Sequence, residues 1–429
     1  MHASRSLPAA LDPLPAAGAP ARAARVAILT SNFWPEPTGT GQTVTELARF
    51  LAHEGLDVRV ATSMPYFPEW RIHPDYRGRL WRRELHRRIR VLRSWHFVRP
   101  DPSTVTRIAH EVTLSALALP NMLGALRGAD VAYVVSPALS FALTGMLVAK
   151  ALGVRSVLVV KDVMPDAAVE MGMIANPALI GISRRMARIV YRLADEIHTL
   201  GEGMRTRIAR LTRDAGKIRI VPDTIDADEL APVPWTRNAF REKFVPPGTF
   251  ALLHSGNMGK KQDLDLILRT AELLRDREDI RFYVIGDGAE RDRFLACRRE
   301  RGLDNIEHHP LQPRWMLPHM LSGADIVLVS QRSEVVDIVV PSKLITAMAA
   351  GAMIVAACPE RSETARLLDA SGGGVRIPAG DEARLADAIR ELANGATGTS
   401  EHRRRVRAFA LRCFDRRTVY RPLARSAGA

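Results

Sequence analysis

The sequence predicts an α/β protein made of two doubly wound, Rossmann-like domains facing across a cleft. Three observations carry this expectation. Short, uniformly apolar, β-branched runs alternate with longer amphipathic stretches, as parallel strands covered on both faces require. A Pro-rich stretch, Ala231–Gly248, interrupts the alternation, which then begins again. A chain of 429 residues also exceeds what one core ordinarily holds.

Residues 1–24 are rich in Ala and Pro and lack the apolar centre of a signal peptide, so they read as a disordered leader. Strands are expected at Val26–Thr30, Val58–Ala61, Val131–Val135, Val157–Val160, Ile197–Leu200 and Ile218–Val221, giving a first domain over 25–231. A linker covers 232–248. The second domain, 249–404, opens with strands at Phe250–His254, Phe282–Ile285, Ile326–Val329 and Met353–Ala357, and residues 405–429 form a C-terminal helix. The longest uncharged run, Val131 to Ala149, is split by Ser136-Pro137. It reads as a buried strand and a helix rather than a membrane span.

Lysine and arginine outnumber the acids by 61 to 47, a formal charge of +14. Only seven of these are lysines, so the excess is an arginine habit of the whole chain rather than one binding patch. Cys297, Cys358 and Cys413 lie far apart, which excludes a disulfide framework and a cysteine zinc module; a reducing cytoplasm is the default.

The first strand runs into Ser31–Gly41, with a helix opening near Gln42. Gly39 and Gly41 would let backbone N–H groups approach an anion, although an ordinary strand-to-helix turn looks the same. The pattern is not Gly-x-Gly-x-x-Gly, and no acid follows the second strand as a ribose clamp, which argues against a nicotinamide cofactor. The second domain opens in the same way, through His254, Ser255, Gly256, Asn257, Met258, Gly259, Lys260, Lys261 and Gln262. Val340-Pro341-Ser342-Lys343-Leu344 then opens a helix over Ile345–Gly351. A cation in a first turn opposes the helix dipole, so Lys343 points to an anionic ligand such as a diphosphate; a chance surface lysine is the bland alternative. Asp263 and Asp265 suit a helix start without a metal. His308 and His309, adjacent on a strand, face opposite ways and cannot chelate one ion. No metal is expected, and no Ser/His/Asp set suggests a hydrolase.

Asp162 and Asp166 follow a strand end, where they would orient an acceptor hydroxyl or cap a helix. Eight arginines lie between Arg77 and Arg93, interleaved with Leu80, Trp81, Leu85, Ile89 and Leu92. The apolar stretch Val112–Leu126, interrupted by Pro120, comes after them. A solvated basic helix followed by core is the plain reading. The functional one is a patch on anionic lipid, with Arg82, Arg83, Arg87 and Arg88 at its centre. No nucleic-acid-binding signature accompanies the charge, so nucleic acid is not an expected partner.

With these residues in view, the chain resembles the retaining glycosyltransferases of family 4, with the GT-B fold, and more narrowly their colanic-acid-type, WcaI-like fucosyltransferase branch. The likeness rests on Phe33–Gly41, Pro65–Trp70, Val98–Thr104, Ser255–Gln262, Ile285–Gly288, Pro310–Pro313 and Asp337–Leu344, and spans roughly residues 25 to 425. It implies a nucleotide-sugar donor in the second domain, an acceptor in the first, and a last helix that crosses back to the first domain. Family members usually carry two glutamates seven residues apart; those places fall here on Ile338 and Thr346. Asp337 is the nearest acid. The usual basic pair falls on Asn257 and Gln262, which leaves Lys261 and Lys343 to neutralise the diphosphate. The narrower branch shares these changes, which implies a variant site with Gly256, Gly259, Pro341 and Ser342 around the donor.

The expected function is transfer of a hexosyl or deoxyhexosyl unit, fucosyl and N-acetylamino sugars included, to a polyprenyl-diphosphate-linked saccharide in exopolysaccharide synthesis. No cofactor is expected, and the enzyme would work at the cytoplasmic face of the inner membrane. A GT-B-like sugar-nucleotide epimerase would share the donor site but act without an acceptor. A non-catalytic lipid- or nucleic-acid-binding module would explain the charge but not the lysines at helix starts.

Overall fold

The computed structural model describes residues 23–36, 39–100, 103–170, 174, 176–259, 261–334, 342–396 and 400–428. Apart from Ala23 and Ala24, the expected leader lies outside the described residues, as do Lys260, Asp337, Ile338 and Pro341. The chain forms two compact units. Of the described residues, one holds those up to Pro222 together with Val419 onward, the other Asp223–Thr418.

In chain order the N-terminal unit contains β1 (Arg25–Leu29), α1 (Gly39–His53), β2 (Asp57–Ser63), β3 (Trp81–His86) and β4 (Ile89–Ser94). It continues with α2 (Thr104–Leu126), β5 (Val131–Ser136), α3 (Leu139–Ala151), β6 (Arg155–Val160), α4 (Asp166–Glu170) and α5 (Pro177–Leu193). β7 (Glu196–Thr199), α6 (Glu202–Ala209) and β8 (Ile218–Ile220) complete it. The strands form one sheet in the order β3-β4-β2-β1-β5-β6-β7-β8, parallel except for the antiparallel β3–β4 pair. All six residues of β5 are buried, because helices cover both faces of this part of the sheet.

The C-terminal unit runs through α7 (Ala239–Phe244), β9 (Phe250–Asn257), α8 (Leu264–Leu273), β10 (Ile280–Asp287), α9 (Arg291–Glu300) and β11 (Ile306–His309). Next come α10 (Met316–Gly323), β12 (Ile326–Ser330), α11 (Ser342–Ala349), β13 (Ile354–Cys358), α12 (Glu363–Ser371), β14 (Gly374–Pro378), α13 (Glu382–Glu391) and α14 (Ser400–Phe414). Its sheet is wholly parallel, in the order β11-β10-β9-β12-β13-β14. The order in which strands are added reverses between β9 and β12, and open α/β sheets bind ligands outside the carboxyl ends of strands at such a switch point. The Pro-rich stretch carries α7, capped by Asn238, and Trp235 Nε1 donates to the Ser322 carbonyl at 2.9 Å.

A last helix, α15 (Arg416–Ala427), contributes Val419, Tyr420, Leu423, Ala424 and Ala427 to the core of the N-terminal unit, alongside Val26, Ile28, Val44 and Leu51.

The arginine-rich segment corrects the sequence reading. It is a β-hairpin, not a helix: β3 and β4 pair through a turn at Arg87 and Arg88, which adopt φ of 45° and 69°. Alternation explains it, since β3 turns Trp81, Arg83 and Leu85 outward while Arg82, Glu84 and His86 are half-buried. Arg93 is fully buried, with Nε 2.5 Å from Glu84 and a bond to the Ser63 carbonyl. Pro120 does not divide α2, which runs through it.

Candidate active site

Beside the switch point of the C-terminal sheet, β9 ends in Ser255-Gly256-Asn257 and β10 in Gly286-Asp287, with Gly288 following. The two strand ends approach so closely that a Cβ on Gly286 would lie 1.9 Å from the Gly256 carbonyl oxygen. One on Gly288 would lie 2.6 Å from the Met258 carbonyl oxygen. Glycine is required by backbone contact, and the contact is sealed by Met258 N–H to the Asp287 carbonyl at 2.8 Å. The Asn257 side chain sits between Gly259 and Gly288, within 2.8 Å of where each would carry a Cβ. Asp263 caps α8 by accepting from Leu266 N–H at 3.1 Å, and Asp265 pairs with Arg293. Among the described residues no group of three His, Cys, Asp or Glu side chains is placed to hold a metal ion.

Lys343, in the first turn of α11, reaches over this crevice. Its Nζ donates to the Asn257 carbonyl at 3.1 Å and lies 3.2 Å from His254 Nε2. Its stem crosses Gly256, where an added Cβ would meet Lys343 Cε at 3.1 Å and where φ is +102°. Burial pushes the ammonium down to about 7. The buried His254 ring is held well below its ordinary range, first by burial and then by the Lys343 charge. Lys261 begins the loop's second half, with its carbonyl accepting from Arg332 N–H at 3.3 Å, so the segment after β12 is tied to the segment after β9. Gln262 Oε1 is buried and has no hydrogen-bond donor among the described residues. Ser342 is exposed, and the Thr346 hydroxyl donates back to the Ser342 and Lys343 carbonyls. Gly256, Asn257, Gly259, Lys261, Gln262, Ser342, Lys343 and Thr346 thus lie on the carboxyl side of the central strands of one sheet. Asp337 and Pro341 fall outside the described residues.

Gly39 and Gly41 lie in the other unit, and their neighbourhood is different. A Cβ on Gly41 would lie 3.1 Å from Oε2 of Glu36, whose buried carboxyl accepts from Tyr66 N–H and Phe67 N–H at 3.0 Å each and from Asn32 at 2.9 Å. Burial raises the Glu36 carboxyl, with the two backbone bonds working against it. This side chain lies where a Cβ on Gly41 would point, whereas a Cβ on Gly39 would meet nothing within 4 Å. Nearby, Tyr66, Trp70, His96 and His110 form a ring cluster, with centroids 4.7 Å apart for Tyr66 and His96 and 5.5 Å for Trp70 and His110. Asp166 opens α4, 3.4 Å from Arg184, and lines a shallow pocket with Pro165, Ala187 and Leu211; Asp162 follows β6.

Sequence reasoning missed His254 and Glu36. A histidine closing an apolar strand reads as core, and a glutamate between two prolines reads as loop. The clue to the first was that a strand ending His-Ser-Gly faces a lone lysine opening another helix of the same sheet.

Two doubly wound units, one with a cation over a glycine crevice at its switch point, are the build of GT-B glycosyltransferases. Residues 38–224 match the model of a glycosyl transferase 4-like domain, and residues 249–395 that of glycosyl transferases group 1. The chain belongs to these glycosyltransferases, of the family 4 type. It is 29% identical over 406 residues to the putative colanic acid biosynthesis glycosyl transferase WcaI of Escherichia coli K12, covering 92% of this chain and 98% of that one. It is 28% identical to the probable glycosyltransferase WbjE of Pseudomonas aeruginosa, covering 62% of this chain and 67% of the relative. Among solved structures it resembles Anabaena HepE in complex with UDP and glucose, with a TM-score of 0.68 at 14% identity, over 94% of this chain and 98% of that one.

Proposed function

We propose that the protein is a retaining transferase acting on a nucleoside-diphosphate sugar. It would move a hexosyl or deoxyhexosyl unit to a polyprenyl-diphosphate-linked saccharide during synthesis of a cell-surface polysaccharide. The observation that carries this reading is the half-buried Lys343 ammonium, held over Gly256 at the head of α11 with no carboxylate partner among the described residues. Burial disfavours its charge, and an arriving diphosphate reverses that balance. As the bond from the anomeric carbon to the phosphate oxygen breaks, negative charge grows on the leaving diphosphate. Lys343, Lys261, the Ser342 hydroxyl and the N–H groups opening α11 stabilise it there. A donor phosphate oxygen takes the acceptor proton in a front-side attack, so the scheme needs neither a protein base nor a metal. Asp337 would approach the sugar hydroxyls, while Asp162 and Asp166 would orient the acceptor. The colanic acid name of one relative and the UDP and glucose bound to the HepE neighbour agree with this assignment. A thermal-shift panel of UDP-, GDP- and dTDP-sugars tests it, with and without EDTA, because a ligand of the native state raises the melting temperature. No shift with any of them would refute the donor site, and a shift abolished by EDTA would refute the metal-free scheme.

The acceptor side rests on an exposed apolar face with a basic border. α2 turns Val105, Ile108, Val112, Leu119 and Leu123 outward in one stripe. Trp81 Nε1 donates to the Leu117 carbonyl at 2.9 Å, joining this stripe to the outer side of β3, where Leu85 is 72% exposed. Arg83, Arg87 and Arg88 border it, whereas Arg82 is engaged with the Asp75 carbonyl, Glu84 and the Tyr76 ring. No described helix is long and apolar enough to cross a membrane, so contact would be peripheral, at the cytoplasmic face where donor and lipid-linked acceptor meet. Each basic residue near an anionic surface contributes about 1 kcal/mol. Arg83, Arg87 and Arg88 changed together to Glu should release the protein from anionic vesicles in sedimentation; equal binding of variant and wild type would refute the contact.

A further inference from the structure

We propose that His254 is a positioning residue of the donor site, its ring fixing the Lys343 ammonium so that an N–H is left for an incoming nucleoside diphosphate. The proposal rests on the reading of Lys343 as a diphosphate ligand.

A lysine ammonium has three donors on a flexible four-carbon stem, and its position over a ligand is not fixed by its own chain. Here two acceptors fix it. One is the Asn257 carbonyl, set by the zipped ends of β9 and β10, and the other is His254 Nε2. His254 is 2% exposed, and its backbone is in register with Val284 of β10 in the middle of a parallel sheet, so its ring cannot follow the lysine. Two donors are therefore spent on rigid partners, and among the described residues the third has none, which leaves it for an anion.

The arrangement requires a neutral ring with Nε2 as acceptor. A protonated His254 would set two cations 3.2 Å apart. On the flanking elements Arg281 pairs with Glu307, Asp287 with Arg291, and Asp325 with Arg241, and Lys343 is the charge that bears on the ring. Burial and that charge keep the ring neutral throughout the range in which the enzyme would work. The His254 acceptor also favours the charged amine against burial. Without it the ammonium would lose its proton at lower pH.

Calorimetric titration with UDP, GDP and dTDP, without sugar, tests the assignment in the wild type and in Lys343→Met, His254→Leu and His254→Gln. His254→Leu removes the acceptor, while His254→Gln offers an amide oxygen near the place of Nε2. For the nucleotide that the wild type binds, His254→Leu should weaken affinity about ten- to a hundredfold, as loss of a hydrogen bond to a charged group does, and His254→Gln should restore most of it. The second readout is the pH at which affinity begins to fall, which should move down in His254→Leu, return in His254→Gln and disappear in Lys343→Met. Fold integrity alone would not move that pH. If Lys343→Met binds like the wild type, or no nucleotide binds the wild type, the donor-site reading fails and this inference with it. If Lys343→Met is weakened while His254→Leu binds with the wild-type pH profile, only the positioning role fails. Equal loss in the Leu and Gln variants also overturns it.

Discussion

The two units begin alike, each with an apolar strand running through a glycine-bearing turn into a helix, yet the turns are finished in opposite ways. In the N-terminal unit the place beside Gly41 is taken by the Glu36 carboxyl, which accepts from the Tyr66 and Phe67 backbone N–H groups. In the C-terminal unit the place over Gly256 is taken by a cation, Lys343, whose partners are a neutral histidine and a carbonyl. In the first turn the negative charge beside Gly41 comes from the chain itself. The second carries charge that a buried environment penalises and an external anion would stabilise. A glycine turn at a helix start is therefore a scaffold for negative charge, and the source of that charge decides whether it serves folding or binding.

The contrast is broken most directly at the cation. Lys343→Ala should lower kcat by two or more orders of magnitude, about 3 kcal/mol of lost transition-state stabilisation, with little change in melting temperature. Near-normal turnover in steady-state assays would remove the difference between the turns. The matching change on the other side, Glu36→Ala, strands the Tyr66 and Phe67 N–H groups and should cost about 2–3 kcal/mol in urea unfolding while leaving nucleotide affinity intact. If it weakened nucleotide binding and not stability, Gly39 and Gly41 would return to the donor site. A smaller effect is expected at Gly256, where an alanine must hold φ at +102° and press on the lysine stem. The cost should be about 1–2 kcal/mol of stability, with a measurable rise in the KM for donor. A pH dependence is also expected in the nucleotide-free protein. The Lys343 amine titrates near 7 when folded and near 10.5 when unfolded. Between those values the unfolded chain binds more protons, so stability should rise with pH over that window. Urea midpoints that rise equally in Lys343→Met would assign the drift to another group.

Much of the architecture was legible because a parallel strand covered on both faces leaves an unmistakable trace. β5, β12 and β13 are buried at every residue, and their apolar runs stand out from the helices between them. β3 and β4 were not legible. On a sheet edge one face meets solvent, arginines alternate with Trp81 and Leu85, and such a run imitates an amphipathic helix over short lengths. β14, Gly374–Pro378, is a short edge strand with an arginine at its centre and left no apolar signature. Lys343 was legible because a cation at a helix start contradicts the dipole. His254 was not, since its role comes from a lysine 89 residues away that only the sheet order brings to it.

The placement of α15 also bears on synthesis of the chain. The N-terminal core needs Val419, Tyr420, Leu423, Ala424 and Ala427, which are translated after the whole of the other unit. At roughly 5–20 residues per second, that delay is on the order of ten to forty seconds. During it the surface that α15 will cover on the nascent first unit is open to chaperones and to neighbouring chains. The second unit has all of its own strands before the first has received the last residues of its core.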